Sequence, residues 1–181
     1  MSINELIDHT YLKAFGTHKE IDDFLQQARE YRFQSVCVNP THVKYCHDAL
    51  AGSGIHVCTV VGFPLGANTT ETKVFETLDA VKNGADEIDM VINVGELKSG
   101  HSDYVRNEIS AVVKAAGGRV VKVIIEACYL SDAEIIAVSG LIGETDATYI
   151  KTSTGFGSEG ATKTAVQLMK KTGGGKLIMA S

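Results

Sequence analysis

The sequence is poor in the features that mark a nucleic-acid binder or a membrane protein. It has no tryptophan, aromatics make up 7% of its 181 residues, and no basic run breaks a formal net charge of -5. Nucleic acid and anionic membrane surfaces are recognised through clustered Lys and Arg, so neither partner is expected, and an anionic substrate would need a local positive site. No apolar run approaches the roughly 20 residues of a membrane span. The opening MSINELIDHTYLK carries acids where a secretory signal has a basic start. The expected setting is therefore cytoplasmic. Cys37, Cys46, Cys58 and Cys128 form no C-x-x-C pair and lie in apolar segments, the pattern of reduced, packed thiols and not of a disulfide framework. His42 and Cys46 stand one helical turn apart, yet no second ligand pair follows at zinc-site spacing, so no metal is expected. Linkers, low-complexity tracts and tandem repeats are missing too, and residues 1–181 are expected to form a single domain.

What is present is an unbroken alternation of strand-like and helix-like runs, the pattern of a parallel sheet with crossover helices. Strands are expected at 6–12, 35–39 (SVCVN), 56–63 (HVCTVVGF), 87–93 (EIDMVIN), 120–127 (VVKVIIEA), from 148 (TYIKTST) and at 176–181 (KLIMAS). Between them, Thr17 and Glu20 form a capping box for a helix burying Ile21, Phe24, Leu25 and Ala28. Asn39 and Pro40 open a short helix carrying Val43, Cys46 and Leu50. Asn68 and Glu71 are expected to cap a helix with Val74, Phe75, Leu78 and Val81 inward, closed by Gly84. A helix over about 102–116 buries Val105, Ile109, Val112 and Val113; Ser131 and Glu134 cap another, and a last one spans about 161–171. Seven apolar strands with intervening helices fit a TIM (β/α)8-type barrel whose last βα unit is missing. The rival, an open doubly wound sheet, lacks its G-x-G-x-x-G after the first strand.

Three strand interiors carry charge where parallel strands are normally apolar: Asp89, Lys122 and Lys151. Each lies two to three residues into its run, so in a barrel they can meet at similar depth in a low-dielectric pocket. A neighbouring ammonium and partial burial both disfavour the charged form of a lysine, which makes one amine neutral and nucleophilic near pH 7. A neutral amine condenses with an aldehyde to an imine, and a carboxylate or water handles the protons. That is class I aldolase chemistry. The plain structural alternatives are a lysine stem snorkelling from a strand end and an ion pair of Asp89 with one lysine, the second amine then being unexplained.

The motifs IDHT (7–10), SVCVNP, CTVVGFPLG, GADEIDMVINVG, VKVIIEA and KTSTGF run the length of the chain, and together they resemble the deoxyribose-phosphate aldolase family. The resemblance implies a (β/α)8 barrel without metal or organic cofactor and a small-molecule phosphosugar or aldehyde substrate. It implies reversible cleavage of 2-deoxyribose 5-phosphate to glyceraldehyde 3-phosphate and acetaldehyde, and a homo-oligomer as in many members. It makes Lys151 the Schiff-base lysine, Asp89 the proton-relay carboxylate and Lys122 its partner, with Thr10, Cys37, Thr152, Thr154 and Gly155 at the substrate. For Cys37 the plain alternative is a packed core thiol, and for Thr10 and Thr152 ordinary packing.

Two departures stand out. The family carries a second active-site lysine on the seventh strand in a K-A-S/A-G-G pattern, and aligning IMAS with it puts the uncharged Met179 there. The sequence also stops at Ser181, ahead of that glycine pair and of the later G-x-S-S turn whose amides hold the 5-phosphate. Three readings follow: a shortened aldolase with weak turnover, a non-catalytic barrel remnant acting through self-association or binding, and an aldolase for an unphosphorylated aldehyde.

Overall fold

The computed structural model describes residues 2–181. The chain divides into two compact units, Met1–Val60 with Asp79–Ile88, and Val61–Leu78 with Asp89–Ser181. In chain order the strands are β1 (Asp8–Tyr11), β2 (Ser35–Val38), β3 (His56–Val61), β4 (Glu87–Val91), β5 (Val120–Ile124), β6 (Tyr149–Lys151) and β7 (Leu177–Met179). The helices are α1 (His18–Tyr31), α2 (Val43–Ala49), α3 (Thr70–Lys82), α4 (Val94–Lys98), α5 (Ser102–Ala116), α6 (Asp132–Gly143) and α7 (Lys163–Thr172). The sheet order is β1-β2-β3-β4-β5-β6-β7, with a helix after every strand but the last. That is the connectivity of a TIM (β/α)8-type fold carrying seven of its strands.

In the first unit β1, β2 and β3 pair in parallel, Thr10 opposite Cys37 and Cys37 opposite Cys58. Helix α1 begins at the capping box: the Thr17 hydroxyl accepts from the Glu20 N–H at 3.3 Å, and the Glu20 carboxylate accepts from the Thr17 N–H at 2.8 Å. The Thr17 N–H, and after it the Thr17 hydroxyl donating at 2.7 Å, hold the Glu20 carboxyl below the usual carboxylate range. Ile21, Phe24, Leu25 and Ala28 form its buried face, each large side chain stabilising by about 1.5–3 kcal/mol. The first strand is shorter than its sequence pattern, because Ile3–Leu6 form a 3-10 turn that takes Leu6 out of it. Pro40 starts a 3-10 turn running into α2, while the Asn39 amide donates to the Lys13 carbonyl instead of capping.

In the second unit β5, β6 and β7 are parallel, with Lys151 opposite Ile124 on one side and Met179 on the other. Ser131 and Glu134 cap α6 as expected. Helix α7 starts two residues later than its pattern, at the Thr162 hydroxyl, which accepts from the Ala165 N–H at 3.1 Å. Val113 is only half-buried on α5, where Glu108 takes an inward place. Asn93 caps the unexpected one-turn helix α4.

Helix α3 corrects the sequence reading. Its cap is the Thr69 hydroxyl, which accepts from the Thr72 N–H at 3.3 Å, and not Asn68. Its buried residues are Lys73, Thr77 and Ala80, spaced i, i+4, i+7, whereas Phe75 is 71% and Leu78 51% exposed and Val74 and Val81 are intermediate. The physical reason is Lys73. Its ammonium donates to the carbonyls of Gly66 at 2.7 Å and Val91 at 2.9 Å and to the Glu108 carboxylate at 2.7 Å. Three donors meet three acceptors, which fixes the helix's rotation against its apolar pattern. Burial pushes the Lys73 amine down and the Glu108 carboxyl up, and each partner's charge opposes the shift.

Candidate active site

Strand β4 is buried at all five positions, so a carboxylate within it persists only if it is paired. Asp89 is fully buried and bridges two amines of the second unit. Its Oδ1 accepts from Lys122 Nζ at 3.0 Å and its Oδ2 from Lys151 Nζ at 2.6 Å. Lys122, inside β5, is 2% exposed; Lys151, the last residue of β6, is 8% exposed. The structure thus brings together the three charged residues singled out from the strand interiors. Charge-assisted bonds of this length orient both amines on one carboxylate, and an amine at a strand's C-terminal end lies where barrel sites are built.

The backbone around Lys151 is held from both neighbouring strands. The Ile125 N–H donates to the Lys151 carbonyl at 3.0 Å, the Ala127 N–H to that of Thr152 at 2.9 Å, and the Thr152 N–H to that of Met179 at 3.1 Å. Met179 therefore sits in register beside Lys151.

The remaining candidates fall in both units. Thr152 is buried, and its hydroxyl exchanges hydrogen bonds with the Ser181 backbone at 3.1 and 3.0 Å. Thr154 is buried with its hydroxyl on the Glu126 carboxylate, and Gly155 is exposed at φ 84°. Cys37 is fully buried in the first unit, where it faces the exposed Thr10, whose hydroxyl donates to the Asp8 carbonyl at 2.9 Å. Also in that unit, Asp8, Cys58 and Glu87 hold ligand atoms within 4.8 Å of one another. Asp8 Oδ1 accepts from the Ser35 hydroxyl at 2.7 Å, and Glu87 is bonded to His56 Nδ1 at 2.9 Å. Sequence reasoning passed over Glu126. The only available signal was an acid ending the apolar run VIIEA.

Comparison with known proteins defines the class. A profile of the DeoC/LacD family aldolases matches residues 3–176. Deoxyribose-phosphate aldolase 2 of Staphylococcus aureus is 58% identical over 174 residues, covering 96% of this chain and 79% of that protein. Among solved structures, an aldolase called QR15 superposes with a TM-score of 0.94 at 38% identity, over 99% of this chain and 81% of its own. The tetrameric deoxyribose phosphate aldolase of Aeropyrum pernix gives 0.90 at 28% identity, over 99% of this chain and 76% of its own. The fold, the amine pair and these matches describe a carbon–carbon lyase of the aldolase type. The chain belongs to the DeoC/LacD aldolase family.

Proposed function

We propose that this chain reversibly cleaves 2-deoxyribose 5-phosphate to glyceraldehyde 3-phosphate and acetaldehyde through an imine on Lys151. The observation that carries the reading is Asp89 bridging Lys122 and Lys151. To attack, the Lys151 amine must give up a proton, and Asp89 Oδ2 at 2.6 Å is the group placed to take it. Nζ then bonds to the aldehyde carbon of the open-chain sugar, and loss of water leaves an iminium. Removal of the proton from the C3 hydroxyl breaks the C2–C3 bond, its electron pair flows into the iminium to form an enamine, and glyceraldehyde 3-phosphate departs. Protonation of the enamine carbon and hydrolysis release acetaldehyde and return the amine. Lys122 holds Asp89 Oδ1 and so aims the carboxylate.

Thr10, Cys37, Thr152, Thr154 and Gly155 are assigned to the substrate on family resemblance. The same resemblance, with a tetrameric relative, supports a homo-oligomer, testable by light scattering. Four free cysteines and, among the described residues, no helix long and apolar enough to cross a membrane support a cytoplasmic setting. The test is acetaldehyde release from 2-deoxyribose 5-phosphate. Release that Lys151→Ala abolishes supports the proposal; none from folded protein overturns it.

A further inference from the structure

Two residues other than glycine have positive φ among the described residues, Arg32 at 53° and Glu126 at 48°. Arg32 is the left-handed cap that ends α1, a routine place for that conformation. Glu126 ends no helix. It follows β5 in the chain, is 2% exposed, and carries a carboxylate into the interior of the second unit. A side chain in this backbone region is disfavoured, and such outliers persist where the surroundings over-determine them, often at functional sites.

The surroundings of Glu126 are the segment that follows Lys151. On the backbone, the N–H groups of Ile125 and Ala127, two residues apart, reach the carbonyls of Lys151 and Thr152, one residue apart. Regular parallel pairing would put those carbonyls two apart, so Glu126 is one extra residue on the β5 side, a local bulge of the kind that re-aims side chains beside active sites. On the side chain, Oε1 accepts from the Thr154 N–H at 3.2 Å and lies 3.9 Å from Cys128 Sγ, and Oε2 accepts from the Thr154 hydroxyl. That hydroxyl in turn accepts from the Phe156 N–H at 3.0 Å. Gly157 packs so closely that a Cβ there would lie 3.2 Å from the carboxylate and 2.6 Å from Cys128 Sγ. One carboxylate thus organises residues 154–157, and the chain on either side of it pins 151 and 152.

We propose that Glu126 is a positioning residue: it locks the segment 152–157 and thereby fixes where Lys151 presents its amine and where the β6–α7 loop meets the aldehyde. This rests on the imine chemistry assigned to Lys151. A loop lock acts on geometry, so its loss slows imine formation without unfolding the sheet.

The test compares the unsubstituted protein with Glu126→Ala, Glu126→Gln and Thr154→Val, using Ser131→Ala as a destabilised control with its lesion at the start of α6. Two readouts are taken: amide exchange in 152–157, and the rate of borohydride-trapped acetaldehyde adduct at Lys151. Expected for Glu126→Ala is exchange at Thr154 and Phe156 faster by about tenfold or more with β4 and β5 still protected, and an adduct rate lower by a similar factor. Glu126→Gln keeps an acceptor oxygen and restores part of both; Thr154→Val shows the same pattern more weakly; Ser131→Ala changes neither. If Glu126→Ala does not fold, the Gln and Val variants decide. Unchanged loop exchange, or an adduct rate that falls only as far as in the control, overturns the proposal. Absence of any Lys151 adduct in the unsubstituted protein overturns the imine reading instead, and the exchange readout alone then decides whether Glu126 is the lock.

Discussion

The second unit buries lysines in two different ways. Lys73, with no exposed surface, spends its three N–H donors on Gly66, Val91 and Glu108, and the other Glu108 oxygen accepts from the Asn93 N–H at 3.0 Å. Lys151, 8% exposed at a strand end, shares the Asp89 carboxylate with Lys122. The first arrangement is a closed lock between α3, α5 and the chain after β4, with nothing a substrate could reach. In the second, one carboxylate serves two amines, and the residue carrying one of them, Lys151, keeps 8% of its surface exposed. Burial of a lysine by itself therefore says little about chemistry. How its donors are used, and whether a small molecule can approach, separates a structural amine from a reactive one.

Exchanging the two lysines for methionine should separate the roles most sharply. Lys73→Met leaves Glu108 buried without its cation and is expected to cost about 3–5 kcal/mol in urea unfolding. Adding Glu108→Leu should recover most of that loss, since an apolar pair of similar volume often replaces a buried ion pair at little cost. Lys151→Met, by contrast, should change stability by less than about 1.5 kcal/mol, because Asp89 keeps Lys122. A large loss in the Lys151 variant would erase the distinction.

The next effect concerns Met179, in register beside Lys151. Met179→Lys puts a further ammonium near the amine, which disfavours the protonated form of Lys151. The imine-forming rate at pH 7 is expected to rise by about tenfold and its pH profile to move to lower pH. An unchanged profile would show that the register neighbour does not act on the amine.

Smaller effects come from surface caps that touch neither site. Ser131→Ala removes the acceptor for the Glu134 N–H and should cost about 1 kcal/mol with the adduct rate unchanged. The Ser131 N–H holds the Glu134 carboxyl below the usual carboxylate range. With the folded value below the unfolded one, its contribution is present above the ordinary glutamate pKa and lost as pH falls through the folded one. Glu134→Gln should therefore lower the melting temperature at pH 7, and the difference from the unsubstituted protein should shrink as the pH is lowered through the folded pKa.

The same contrast explains what could be read from the sequence. Asp89, Lys122 and Lys151 stand out because charge inside an apolar strand breaks a pattern, and the strand order follows from the alternation that exposed them. Lys73 and Glu108 hide because charges are routine on amphipathic helices, and Phe75 and Leu78 imitate a core face at the same spacing. The α3 cap was misplaced by one residue because Asn68, Thr69 and Thr70 are all residue types that cap. Glu126 left only the weak signal of an acid at the end of an apolar run: a left-handed backbone at a residue other than glycine is imposed by tertiary partners, here Thr154 and the carbonyls of Lys151 and Thr152, which no local pattern encodes.

The central claim is that Lys151, and not the other buried lysines, is the reactive amine. Intact-protein mass spectrometry after incubation with acetaldehyde and borohydride, with the adduct mapped by digestion, tests it most directly. The account predicts one reduced adduct, at Lys151, lost in Lys151→Ala while Lys73 stays unmodified. An adduct at Lys73 or Lys122 instead, or none above the level of surface lysines, would contradict it.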